Sequence, residues 1–316
     1  MLLYTLRRIV YVTPVALGVS IICFFLVHLS GDPLMAVLPA DATAQQQEEM
    51  RHAYGFDQPL PIQYGIWLWK VMHGDLGNSI ATGRPVLSEV SRAVGNTMIL
   101  ATVATLIGFT FGTFFGFVAG YFRDSPLDKI ASGLSVFGVS VPHYWLGMVL
   151  VIIFSAQLGW LPPTGAGPNG SSEWRPDIEH LRYIILPAIT LSVIPMGIIA
   201  RTVRALVADI LAQEFVQALR AKGLSEWGVF KHVVTNAAPT ALAVMGLQLG
   251  YLLGGSILIE TVFAWPGTGF LLNAAIFQRD LPLLQGTVLT LAMFFVVLNL
   301  VVDVVQTALD PRIQRA

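Results

Sequence analysis

Eight charged side chains fall within residues 201–236, RTVRALVADILAQEFVQALRAKGLSEWGVFKHVVTN: Arg201, Arg204, Asp209, Glu214, Arg220, Lys222, Glu226 and Lys231. At roughly 2.5–3.5 kcal/mol per charge at a bilayer centre, burying them in hydrocarbon would cost on the order of 20 kcal/mol. The segment is therefore expected in water, where its chemistry is electrostatic docking rather than bond-making. Other chemistries lack their residues. No G-x-x-x-x-G-K-[ST] occurs to cradle a nucleotide phosphate, and no H-E-x-x-H or C-x-x-C occurs to hold a metal. None of the six histidines has a ligand-spaced partner, so neither a metal site nor a catalytic residue is expected. The single cysteine, Cys23, excludes an intrachain disulfide framework.

The elements that position these charges follow from spacing. Leu206, Ile210, Leu211, Phe215, Ala218 and Leu219 recur every three or four residues, as an amphipathic helix requires. Gly223 stands where a helix C-cap belongs, with Arg220 and Lys222 in the last turn. Ser225 is a candidate N-cap for a second short helix through Phe230. Two short helices meeting at a glycine would form a wet, basic knob.

Around that knob the chain is apolar. Hydrophobic residues make up 55%, charged residues 12%, and the mean hydropathy is +0.69. Soluble domains run near about a quarter charged, so a membrane protein is expected. The net charge of −1 gives no basis for a nucleic-acid partner. Arg7 and Arg8 precede an apolar run at residues 9–27, which reads as a retained first transmembrane helix containing Pro14. Further spans are expected at residues 96–122, 130–159, 183–200, 237–259 and 286–307, with Pro142 interrupting the third. Residues 30–95, with a turn at 31–33 and a polar helix at 41–54, read as an extracytoplasmic insert of short helices. Within the spans, Gly108, Gly112, Gly116 and Gly120 fall every four residues, as do Gly246, Gly250 and Gly254. Such small-residue ridges let helices approach closely in lipid. Gln248 is either a pathway residue or an interhelical hydrogen-bonding group. Asp303 lies near the inner end of the last span. Lys and Arg concentrate in the short segments that an inside start would place in the cytoplasm, supporting a six-helix, N-in/C-in arrangement.

Residues 214–224, EFVQALRAKGL, resemble the EAA loop of importer-type ABC permeases, and more narrowly the dipeptide, oligopeptide and nickel branch. The insert's GDP, G-x-D-x-P-x-x-x-Q-Y and HGDLG-x-S runs, the P-x-x-W element at Pro142 and the E-T-V-F-A-W-P-G-T-G-F stretch from Glu260 are similar to the same branch. One departure is local: the positions that give the loop its name read Gln217, Ala218 and Leu219. The resemblance implies an all-α permease with a first helix at residues 1–29, an insert at 30–95 and a transmembrane core at 96–316. It implies ATPase coupling through Glu214, Phe215, Ala218, Arg220, Ala221, Lys222, Gly223 and Leu224. It also implies an outer loop near a binding protein, carrying Trp265, Pro266, Gly267, Gly269, Arg279 and Asp280. The implied partners are two ATPase subunits that hold ATP and Mg, a second similar permease subunit, an extracytoplasmic solute-binding protein and the bilayer. No cofactor is implied in this chain, and the implied location is the bacterial inner membrane. The implied cargo is a peptide or similar solute whose identity these residues do not encode. The alternative reading is a self-contained channel or ion-driven carrier.

Overall fold

Eleven helices account for nearly all of the regular structure in the computed structural model, which describes residues 2–29, 43–55 and 57–309. The expected turn at residues 31–33, the start of the polar helix at Asp41 and the C-terminal Pro311, Arg312 and Arg315 lie outside the described residues. So do the side chains of Arg7, Arg8 and Asp303.

In chain order the helices are α1 (Leu2–Leu29), α2 (Ala44–Tyr54), α3 (Leu60–Met72), α4 (Val86–Tyr121), α5 (Pro126–Ser140) and α6 (His143–Val151). They continue as α7 (Ile178–Leu211), α8 (Glu214–Ala221), α9 (Glu226–Val262), α10 (Thr268–Phe277) and α11 (Leu281–Leu309). Four described stretches are long and apolar enough to cross a membrane: Val86–Tyr121, Ile178–Leu211, Glu226–Leu252 and Leu281–Val301. α5 and α6, with the π-helical turn Ile152–Gln157 that extends α6, make a fifth if the pair is one span. They meet at 101°. The cause is local. The pyrrolidine ring of Pro142 disfavours the helical conformation at the preceding residue, and Val141 is extended at φ −84°, ψ 130°.

Two expectations about length need correction. The charged segment does not begin a new element at Arg201, because α7 runs unbroken to Leu211 and carries Arg201 and Arg204 on its last turns. Ser225 does cap a helix, its Oγ accepting from the Gly228 N–H at 3.3 Å. That helix is no short second arm: α9 continues for 37 residues. Nothing between Glu226 and Pro239 breaks the pattern, and Pro239 itself is accommodated inside the helix.

The chain divides into two compact units. One takes the chain to Asn96 and from Pro266 to Leu300. Its core is Val86, Val90, Ala275 and Leu283, with Gly286 so close to Val86 that a methyl group there would lie 2.5 Å from its Cγ1. The other unit, Thr97–Trp265 and the chain from Val301, is built around α7. α7 is the most buried candidate span, 67% against 28% or less for the other three. It packs on α5, α6 and α9. Small residues make this possible: a methyl group on Gly197 would meet Ser135 O of α5 at 2.7 Å, and one on Gly138 would meet Val193 of α7 at 2.9 Å.

Candidate functional site

Between α7 and α9 the chain makes an elbow. α7 ends at Leu211, Gln213 takes the N-cap position of α8, and α8 runs for eight residues from Glu214. Its end is a Schellman motif. The Leu224 N–H donates to Leu219 O at 3.1 Å and the Gly223 N–H to Arg220 O at 3.0 Å, with Gly223 left-handed at φ +81°. The chain then turns directly into the Ser225 cap of α9.

α8 has a dry face and a wet one. Val216 is fully buried in a cluster with Val207 and Ile210 of α7 and Val229 and Val233 of α9, with Phe215 packed against it. Glu214, Gln217, Ala218 and Ala221 are exposed, at the three- and four-residue spacing of one helix face, and Lys222, Gly223 and Leu224 extend that surface. Arg220 is turned toward α9 instead. Its Nε and Nη2 donate to Glu226 Oε1 and Oε2 at 3.0 and 3.1 Å, and Tyr121 at the end of α4 donates to Glu226 Oε2 at 2.6 Å. Hydrogen bonding to Glu226 raises the Arg220 guanidinium above its ordinary pKa, so it stays charged. Three helices are thus tied at one carboxylate. Aromatic contacts continue the tie: the rings of Phe117 of α4 and Phe230 meet edge to face at 4.7 Å, and Phe230 stacks on exposed Trp227 at 4.9 Å.

A second polar junction sits on α7 itself. Arg204 donates through Nε and Nη2 to the buried Asp128 carboxylate at 2.5 and 2.7 Å. Asp128 also accepts from the Asp124 N–H and from Ser132 Oγ. Arg204 therefore pins α7 to the first turn of α5. Sequence reasoning placed Arg204 in a water-facing segment and did not pair it with Asp128. Neither Val216, Tyr121 nor the Asp128–Arg204 pair was singled out there. The apolar spacing of Val216 from Leu219 was the one signal available for the first.

The first glycine ridge faces α7. Methyl groups on Gly108, Gly112, Gly116 and Gly120 would lie 3.1, 2.8, 2.5 and 2.7 Å from the carbonyl oxygens of Ser192, Met196, Ala200 and Arg204. The second differs: Gly246 and Gly250 are half-buried, while Gly254 is exposed with nothing within 4 Å of where its methyl group would stand. The Oε1 of Gln248 is buried without a hydrogen-bond partner among the described residues, as is Nε2 of His143.

The outer-loop residues are mostly internal. Trp265 is fully buried with Phe263, Leu252 and Ile259, and its backbone N–H donates to Glu260 O at 2.8 Å. In the same unit Thr97 Oγ1 donates to the buried Glu260 Oε1 at 2.8 Å. Asp280 is fully buried and accepts from Ser79 Oγ, the Ala81 N–H and the Leu283 N–H. Gly267 and Gly269 are buried and Pro266 is half-buried, which leaves Arg279 exposed. No group of three or more His, Cys, Asp or Glu side chains that could hold a metal ion occurs among the described residues.

Comparison with known proteins adds independent findings. Residues 112–315 match the family model described as binding-protein-dependent transport system inner membrane component, and residues 1–111 match the model of its N-terminal part. A protein of Brucella abortus (strain 2308) named for a peptide transport system permease is 39% identical over 311 residues, 98% of each chain. The glutathione transport system permease protein GsiC of Salmonella typhi is 38% identical over 316 residues, 99% of each chain. Among solved structures, the MetNI methionine ABC transporter in inward-facing conformations aligns with a TM-score of 0.56 and 19% identity. That alignment covers 70% of this chain and 96% of the other, and the likeness is one of fold.

Proposed function

The chain belongs to the family of binding-protein-dependent transport system inner membrane components, and from that premise we propose that α8 and the Gly223 turn couple it to separate ATPase subunits. It is a multi-pass permease of the bacterial inner membrane, of the peptide-importing kind. One observation carries the coupling reading. A short helix with an exposed face is clamped to three long helices, to α7 and α9 by Val216 and to α4 and α9 by the Arg220–Glu226–Tyr121 junction. A push on the wet face of α8 would reach α4, α7 and α9 together, which is what rocking between inward- and outward-open arrangements needs.

The same reading supplies the remaining parts. Six transmembrane helices with both termini in the cytoplasm put α8 on the side where ATP is available. Two ATPase subunits hold ATP and Mg, this chain holds no cofactor, and a second, similar permease completes the path. An extracytoplasmic binding protein delivers the solute, a peptide or a glutathione-like molecule, near Arg279 on the loop that Trp265 and Asp280 anchor from within. Gln248 and His143, each with one buried polar atom that lacks a partner among the described residues, are the side chains best suited to line the path.

The test uses the assembled transporter. Ala218→Arg and Gly223→Asp should co-purify with their partners while solute uptake and substrate-stimulated ATP hydrolysis fall at least several-fold. Unchanged uptake in both variants refutes coupling through α8. Solute flux through the chain alone in liposomes, with no ATPase present, would favour a self-contained channel or carrier instead.

A further inference from the structure

Two helices described within the insert differ in kind. α2 carries Gln45, Glu48, Glu49 and His52 at exposed positions and suits water. α3, LPIQYGIWLWKVM, is apolar on both faces. One face packs on α1: Tyr64 Oη and Ser20 Oγ share a hydrogen bond of 2.7 Å, and the rings of Tyr64 and Trp67 stand 5.5 and 5.8 Å from Phe24. The opposite face presents Ile62, Ile66, Trp69 and Met72, which are 49%, 38%, 62% and 65% exposed. Their three- and four-residue spacing puts them on one side of the helix. The single charge of α3, Lys70, stands at the margin of that side, where a long stem can carry an ammonium to water.

The depth of the contact decides what covers this face. Ser20 and Phe24 lie about 7–14 Å short of the end of α1 at Leu29, at 1.5 Å per residue. Beside them Leu17, Ile21, Ile22 and Phe25 of α1 are exposed and apolar, the surface of a membrane helix. The α3 residues that touch α1, Tyr64 and Trp67, are met at this level of α1. At 13 residues α3 is too short to cross a bilayer, and four large apolar side chains on one face are not held stably in water.

We propose that α3 lies in the interfacial layer of the bilayer on the side where α1 ends, with lipid covering Ile62, Ile66, Trp69 and Met72. Trp69, whose ring lies 4.2 Å from that of His73 at the helix end, sits at headgroup level as the anchor. The insert is then divided: α2 stands in water while α3 is a flat strut that fixes the tilt of α1. This goes beyond the coupling reading and does not depend on it.

The experiment places a fluorescent label at single cysteines in the full transporter reconstituted into bilayers. Ile66→Cys and Trp69→Cys report on the face, and Glu48→Cys on α2 is the water reference. The native Cys23 is buried, and Cys23→Ala checks its background. Labels at 66 and 69 should be quenched by doxyl-labelled lipid, and their thiols should react several-fold more slowly with a membrane-impermeant maleimide than the thiol at 48. Reaction at the reference rate overturns the proposal. Protection from maleimide and lipid quencher together, as contact with another protein subunit would give, overturns it as well. Ile66→Cys alone suffices if Trp69→Cys fails to assemble.

Discussion

Gly223 stands at a helix end and Gly116 at a helix contact, and different physics holds each. Gly223 has nothing within 4 Å of where its methyl group would stand, so its constraint is the backbone at φ +81°. That conformation costs an ordinary L-residue about 1–2 kcal/mol, and asparagine least. Gly223→Asn should therefore retain most uptake in a reconstituted transporter, while Gly223→Val should lose it. Equal loss in both would mean that glycine is needed there for close approach of a partner. Gly116 is held by space instead, since a methyl group there meets Ala200 O at 2.5 Å and Val203 Cβ at 2.8 Å. Gly116→Ala should lower the thermal midpoint of the purified permease clearly, whereas Gly254→Ala should leave it within error. In the sequence the two four-spaced ridges look alike, because spacing names a helix face but not its neighbour. The cap at Gly223 was legible because a C-cap signature is written within a few residues of itself.

Helices and their junctions show the same division between local and distant causes. The break at Pro142 could be read in advance, as proline constrains the residue before it whatever the surroundings. The 101° between α5 and α6 could not, because packing against α7 sets it. Likewise the Ser225 cap was readable and the length of α9 was not: caps mark starts, and no comparable local signal marked a stop. The tie at Glu226 depends on α4, α8 and α9 converging, which no spacing rule reveals. Glu226→Ala should release both Tyr121 and Arg220. Faster hydrogen exchange across residues 214–221 and weaker substrate-stimulated ATP hydrolysis are expected in an otherwise assembled complex. Unaltered exchange would show that Val216 alone holds α8 in place. Asp128→Ala tests the other junction, between α5 and α7. Removing one partner of a fully buried pair costs about 3–5 kcal/mol. The Arg204 side chain is 34% exposed and can turn to water, so a loss below that range is expected from thermal unfolding.

At the scale of the whole chain, length constrains topology more firmly than charge does. α7 has 34 residues, about 51 Å at 1.5 Å each, against a hydrocarbon core of about 30 Å. If it spans, its two ends lie on opposite sides of the bilayer. A spanning α7 would place the polar loop before Ile178 and the α8 elbow after Leu211 in opposite compartments, whichever way the protein is inserted. The sign expected from charge is elbow-inside: Arg201, Arg204, Arg220, Lys222 and Lys231 gather there, and short basic segments tend to stay in the cytoplasm. Glu173→Cys, in the exposed loop, should react in intact cells with a membrane-impermeant maleimide, and Lys222→Cys should react only after the membrane is opened. The reverse pattern would put the elbow out of reach of any ATPase and end the coupling mechanism. Reaction of both thiols from one side would instead show that α7 does not cross, since no orientation of a 34-residue spanning helix allows it.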